Sequence, residues 1–111
     1  MTRYAIDALA AIRLVREAIV LPGDHQLVAT NLLRSQALSF LYREVHQGRL
    51  REDEGRALLD GLTTMRIRLL GDRVSRATAW QIAEQLGWQD TTQAEYVAVA
   101  KLQADFFVTL D

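Results

Sequence analysis

The chain has no cysteine, a single proline and no long apolar run. Without cysteine there are no disulfides and no thiolate metal sites. No apolar stretch approaches membrane-spanning length and the first residues contain no apolar signal core, so a cytoplasmic protein with no membrane partner is expected. The formal net charge of -1 gives no overall pull toward nucleic acid. Every basic residue except Lys101 is arginine, whose planar fork suits phosphate, although a GC-rich genome would give the same bias. A glycine-rich phosphate loop is missing. Ser35, Ser39 and Ser75 fall within helical segments and no Gly-x-Ser-x-Gly turn is present, which argues against a serine nucleophile. His25 and His46 stand alone, without metal-ligand spacing, and read as surface or turn residues.

What is present is an ordinary globular balance. The 111 residues, 50% hydrophobic and 24% charged, suit one domain with one core. Tyr4-Ala5-Ile6-Asp7 reads as a buried strand. Helical spacing then follows over Ala8 to Val20, through Leu9, Ile12, Val15 and Ile19. The only proline, in Leu21-Pro22-Gly23-Asp24, marks a turn. Gln26 to Ala29 is a very short strand or an extended lead-in. Thr30 or Asn31 caps a long helix that Gly48 ends. Glu52 to Leu62 is a shorter helix with acids in its first turn. Met65 to Leu70 alternates with Arg66 and Arg68 and predicts an edge strand with one wet face. Asp72 opens a helix that Gly87 stops. Asp90 or Thr92 caps the last helix, and Phe106 to Asp111 is the last strand. Strands and helices alternating in this way predict a three-layer α/β domain with a mostly parallel central sheet.

Asp7 and Asp111 each close a strand. In a parallel sheet both would lie at the carboxyl edge, where open α/β folds place their sites. Two carboxylates there suggest a hard-cation site for Mg²⁺ or Mn²⁺; ending a strand and starting a turn is the simpler role for each. Gln36 is the odd residue of the long helix, set on the apolar face between Leu32 and Phe40. It is either a core amide bonded to backbone or a polar group aimed at the edge that holds Asp7. Gln93 opens the last helix within Asp90-Thr91-Thr92-Gln93-Ala94-Glu95. There Thr92-x-x-Glu95 spells a capping box and Asp90-x-x-Gln93 a weaker one. Arg34, Arg73 and Arg76 read as solvated helix-face residues, with phosphate contact the alternative.

In order along the chain, Tyr4-Ala5-Ile6-Asp7-Ala8, Leu32-Leu33-Arg34-Ser35-Gln36-Ala37-Leu38, Asp90 through Ala100 and Val108-Thr109-Leu110-Asp111 resemble the PIN domain, and more narrowly the VapC toxins of toxin–antitoxin pairs. The resemblance implies a Mg²⁺- or Mn²⁺-dependent ribonuclease that hydrolyses RNA phosphodiesters at a quartet of acids. Position by position, the first acid falls on Asp7 and the last on Asp111. The helical acid falls on Gln36, and the acid opening the penultimate helix falls on Gln93. Two of the family's acidic positions therefore carry neutral amides.

A carboxylate offsets the desolvation of a cation with charge, whereas an amide carbonyl offers only a dipole. Asp7 with Asp111 would hold one ion weakly, and Asp90 and Glu95 would replace part of the lost charge. A VapB-like antitoxin, RNA and a second copy of the chain are the partners implied. A non-catalytic PIN-like module that binds an antitoxin or itself is the alternative. The family ordinarily continues with a further helix and strand after the position of Asp111, so this chain is expected to lack them.

Overall fold

The computed structural model describes residues 1–110. Its order is β1 (Thr2–Ile6), α1 (Ala8–Arg16), β2 (His25–Thr30), α2 (Leu33–His46), α3 (Glu52–Thr64), β3 (Arg68–Leu70), α4 (Arg73–Leu86), α5 (Thr92–Gln103) and β4 (Phe106–Val108). The strands form one sheet in the order β3-β2-β1-β4, and every pairing is parallel. The central sheet with helices on its two faces makes the chain a three-layer α/β fold. Among the described residues, no helix is long and apolar enough to cross a membrane.

The layers follow from the two-residue period of the strands. Ile6, Leu27 and Ala29 face one way and pack with Ala11 and Ile12 of α1, Leu33 of α2 and Leu62 of α3. Ala5 and Val28 face the other way and meet Val99 of α5. Helices α4 and α5 join through Ala79, Ala83, Ala94 and Ala98, small side chains that let the two helices approach closely. On the first face α3 meets α1 at Gly61, where a Cβ would lie 2.4 Å from Cγ1 of Val15. Each large side chain taken fully out of water here, such as Ile6, Leu33 or Leu62, contributes about 1.5–3 kcal/mol.

Several boundaries differ from the sequence expectation, each for a local reason. β2 is a full six-residue strand rather than a lead-in, because it lies between β1 and β3 and is paired on both sides. The edge strand expected over Met65 to Leu70 forms only from Arg68. Helix α2 starts at Leu33 with no side-chain cap, so neither Thr30 nor Asn31 serves as its cap; Thr30 is instead buried at the end of β2.

Helix α1 stops at Arg16, short of Val20, because Ala18 adopts the left-handed conformation at φ 52°. The Ala18 N–H then donates to the Val15 carbonyl and the Ile19 N–H to that of Leu14, at 3.1 and 3.0 Å. Gly48 and Gly87 end α2 and α4 by the same reversal, at φ 78° and 68°. Among the described residues only Ala18 carries a Cβ in that conformation. Ala18→Gly is therefore expected to raise stability by about 0.5–1 kcal/mol, read as a higher urea midpoint at unchanged slope. A lower midpoint would mean that the added freedom of the unfolded chain outweighs the strain relieved.

Candidate functional site

β1 lies in the interior of the sheet, with β2 on one side and β4 on the other. The chain leaves β1 toward β2 and β3 and returns across the sheet to β4. The strand order thus reverses between β1 and β4, and ligands of open α/β sheets bind in the crevice that such a reversal leaves at the carboxyl edge. Asp7 is the first residue beyond β1, and Thr109 the first beyond β4. The hydroxyl of Thr109 donates to Oδ2 of Asp7, tying the two strand ends together across that reversal.

Asp7 is also the N-cap of α1. Its Oδ1 accepts from the Ala10 N–H at 2.8 Å, and the residue is 5% exposed. Beside it opens a cleft of about 400 Å³ whose walls include Gln36, Ser39 and Arg43 of α2 and Gln93 and Tyr96 of α5. Positions 36, 39 and 43 fall on one side of α2 by helical spacing, which is how one helix presents an amide, a hydroxyl and a guanidinium to the same space. Gln93 sits in the first turn of α5, and Tyr96 lies one turn further.

Tyr96 fixes the chemistry of Gln36. Burial, then the negative charges of Asp7 and Glu95, push the phenol well above the ordinary tyrosine range, so it stays a neutral donor. Its hydroxyl donates to Oε1 of Gln36. Among the described residues the Nε2 of that amide makes no hydrogen bond, so Gln36 keeps its donor end for whatever enters the cleft.

The expected residues are brought together in part. Asp7, Gln36 and Gln93 line one cleft. Asp90 does not line it: it is exposed ahead of α5 and accepts from the Thr92 N–H at 3.1 Å. Glu95 is half-buried and acts on Tyr96 through its charge, but it is not in the wall. Asp111 lies outside the described residues. The Thr92–Glu95 capping box does not form, because Thr91 is the N-cap, without a side-chain bond, and Asp90 takes the Thr92 N–H.

Arg34 is half-buried and bonded within the protein, not a solvated helix-face residue. Its guanidinium caps the end of α3 by donating to the carbonyls of Leu62 and Met65, at 3.4 and 3.0 Å. His25 opens β2 half-buried, its ring tilted against Tyr4 at 5.3 Å, and so is not a free turn residue. His46 ends α2 exposed and stacks on Tyr42. Sequence reasoning missed Ser39, Arg43, Tyr96 and Thr109 as site residues. Only the first two carried a signal, at three and seven positions beyond Gln36.

A Mg²⁺ or Mn²⁺ site takes oxygen donors with enough negative charge to replace water. Among the described residues the cleft offers one carboxylate, whose two oxygens already accept from Ala10 and Thr109, and it includes a guanidinium in its wall. No group of three or more His, Cys, Asp or Glu side chains there is placed to hold a metal ion. These residues do not fit a two-ion centre. Compared with known proteins, the sequence matches no family model and no curated protein.

Proposed function

We propose that the chain is a PIN-like domain resembling the VapC toxins, in which the place of an RNA-hydrolysing site is kept and its acid largely lost. It works as a binding module, for an antitoxin-like partner, RNA or a second copy, and not as an efficient ribonuclease. The observation that carries this reading is the meeting of Asp7, Gln36 and Gln93 in one cleft at the switch point of a parallel sheet. Those positions are distant in sequence, and the resemblance matches them to three of the family's acids. Two are amides, and the guanidinium of Arg43 offsets the charge of Asp7, the one acid among the described wall residues.

The competing reading is a nuclease that holds one ion between Asp7 and Asp111. It is favoured by the place of Asp7, the first residue beyond β1 at the switch point of the sheet. Calorimetric titration with Mn²⁺, beside a single-stranded RNA cleavage assay on the wild type and Asp7→Asn, separates the two. No binding at millimolar Mn²⁺ and no Asp7-dependent cleavage are expected. Tight binding, with cleavage abolished by Asp7→Asn, would establish the nuclease and sink the binding-module reading.

A further inference from the structure

We infer that the Asp7 cleft is an oxyanion site, one that takes a phosphate group directly, with no divalent cation between protein and ligand. The inference rests on the reading that this cleft is the functional site, and it goes beyond that reading by naming the ligand chemistry. A site that receives phosphate through a metal presents acceptors to the metal. This cleft presents donors. Tyr96 donates to the carbonyl oxygen of Gln36, a residue of the cleft wall, and among the described residues the amide's Nε2 has no partner, so its N–H groups remain for a ligand. Ser39 adds a hydroxyl three residues along the same helix, and Arg43 a guanidinium seven along.

Arg43 makes no ion pair or side-chain hydrogen bond among the described residues, so its donors remain for a ligand. Gln93, across the cleft in the first turn of α5, brings a second amide to the end of a helix where negative charge is favoured. Along α2, Gln36 and Arg43 stand roughly 10 Å apart, a reach that an extended phosphodiester strand spans. Among the described residues Asp7 is the one anion in the wall, and it is 5% exposed with a donor on each oxygen. Its charge is thus partly answered within the protein, and the ligand's place is on the α2 side. Arginine supplies the charge-assisted bonds that fix a phosphate; the amides and the hydroxyl supply direction.

Three probes distinguish the sources of phosphate: inorganic phosphate, a 5′-mononucleotide and a short single-stranded RNA. Each is titrated against the full chain in excess EDTA. Binding without metal is expected, weakened about tenfold by Arg43→Ala and similarly by Gln36→Glu, which replaces a donor with a like charge. Binding confined to the RNA would assign the site to a phosphodiester, and binding of the small phosphates alone to a monoester; both support the inference. Circular dichroism of each variant confirms that it is folded, and Arg43→Lys, which keeps the charge, should restore part of the affinity. Absence of binding in EDTA, or binding that Arg43→Ala leaves unchanged, overturns it. Should the RNA bind only when Mn²⁺ is added, this inference falls while the PIN-like reading stands.

Discussion

Gln36→Glu combined with Gln93→Asp is expected to create a Mn²⁺ site where the wild type has none of comparable strength. Both positions already line the cleft beside Asp7, so the added carboxylates enter a space that needs no rebuilding. Among the described wall residues, the charges of Asp7 and Arg43 now balance, and two further acids tip the cleft toward cations. Allowing only about 1.4 kcal/mol net for each carboxylate after desolvation, the pair tightens Mn²⁺ roughly a hundredfold, and each single substitution about tenfold. Tyr96 assists, because a phenol that donates to an amide oxygen donates equally well to a carboxylate. Calorimetry on the double variant provides the measurement, and phosphate affinity in EDTA should fall in the same protein. A folded double variant with no Mn²⁺ binding would show that the cleft is not the frame of a metal site, and the resemblance would lose its strongest support.

The fold was legible wherever the information is local. The apolar run Tyr4-Ala5-Ile6 read as a buried strand and Gln26 to Ala29 as a short strand or lead-in; the structure makes both strands and buries their two faces against different helices. Glycine at 48 and 87 marked two helix ends correctly, and Asp72 caps α4 through a reciprocal pair of bonds with Ser75. The end of α1 was not legible, since alanine rarely takes the left-handed conformation that Ala18 adopts. Capping at α5 misled because the helix starts between the two expected caps: Thr91 is the N-cap without a side-chain bond, and Asp90 accepts from the Thr92 N–H instead of the Gln93 N–H.

For the site, a polar Gln36 on an apolar stripe was a readable anomaly. Its partner Tyr96 lies 60 residues away, and Thr109 lies 102 from Asp7. No periodicity connects positions so far apart. Their pairing exists only once β4 has crossed to the far side of β1 and α5 has packed against the sheet. Arg34 makes the same point from the other direction, as its two carbonyl partners belong to the end of another helix.

Asp7 has a structural task as well as its place in the cleft, and two substitutions separate them. Asp7→Ala is expected to destabilise the chain by about 2–3 kcal/mol. It removes a buried N-cap bond to Ala10 and the acceptor that holds Thr109, which fastens the segment after β4 to the end of β1. In a domain of this size that corresponds to a fall in Tm of about 10 °C. Asp7→Asn should cost far less, since asparagine ranks with aspartate as an N-cap and its single carbonyl oxygen still accepts from the Ala10 N–H. It also removes a negative charge that raises the Tyr96 phenol, so in the asparagine variant that phenol should ionise at lower pH, seen by ultraviolet absorbance in alkaline titration. If Asp7→Asn melts as early as Asp7→Ala, the charge itself holds the strand ends together, and loss of cleavage or binding in either variant would then report folding. Equal stability of Asp7→Asn and wild type makes the asparagine variant the clean control for any claim about the chemistry of the cleft.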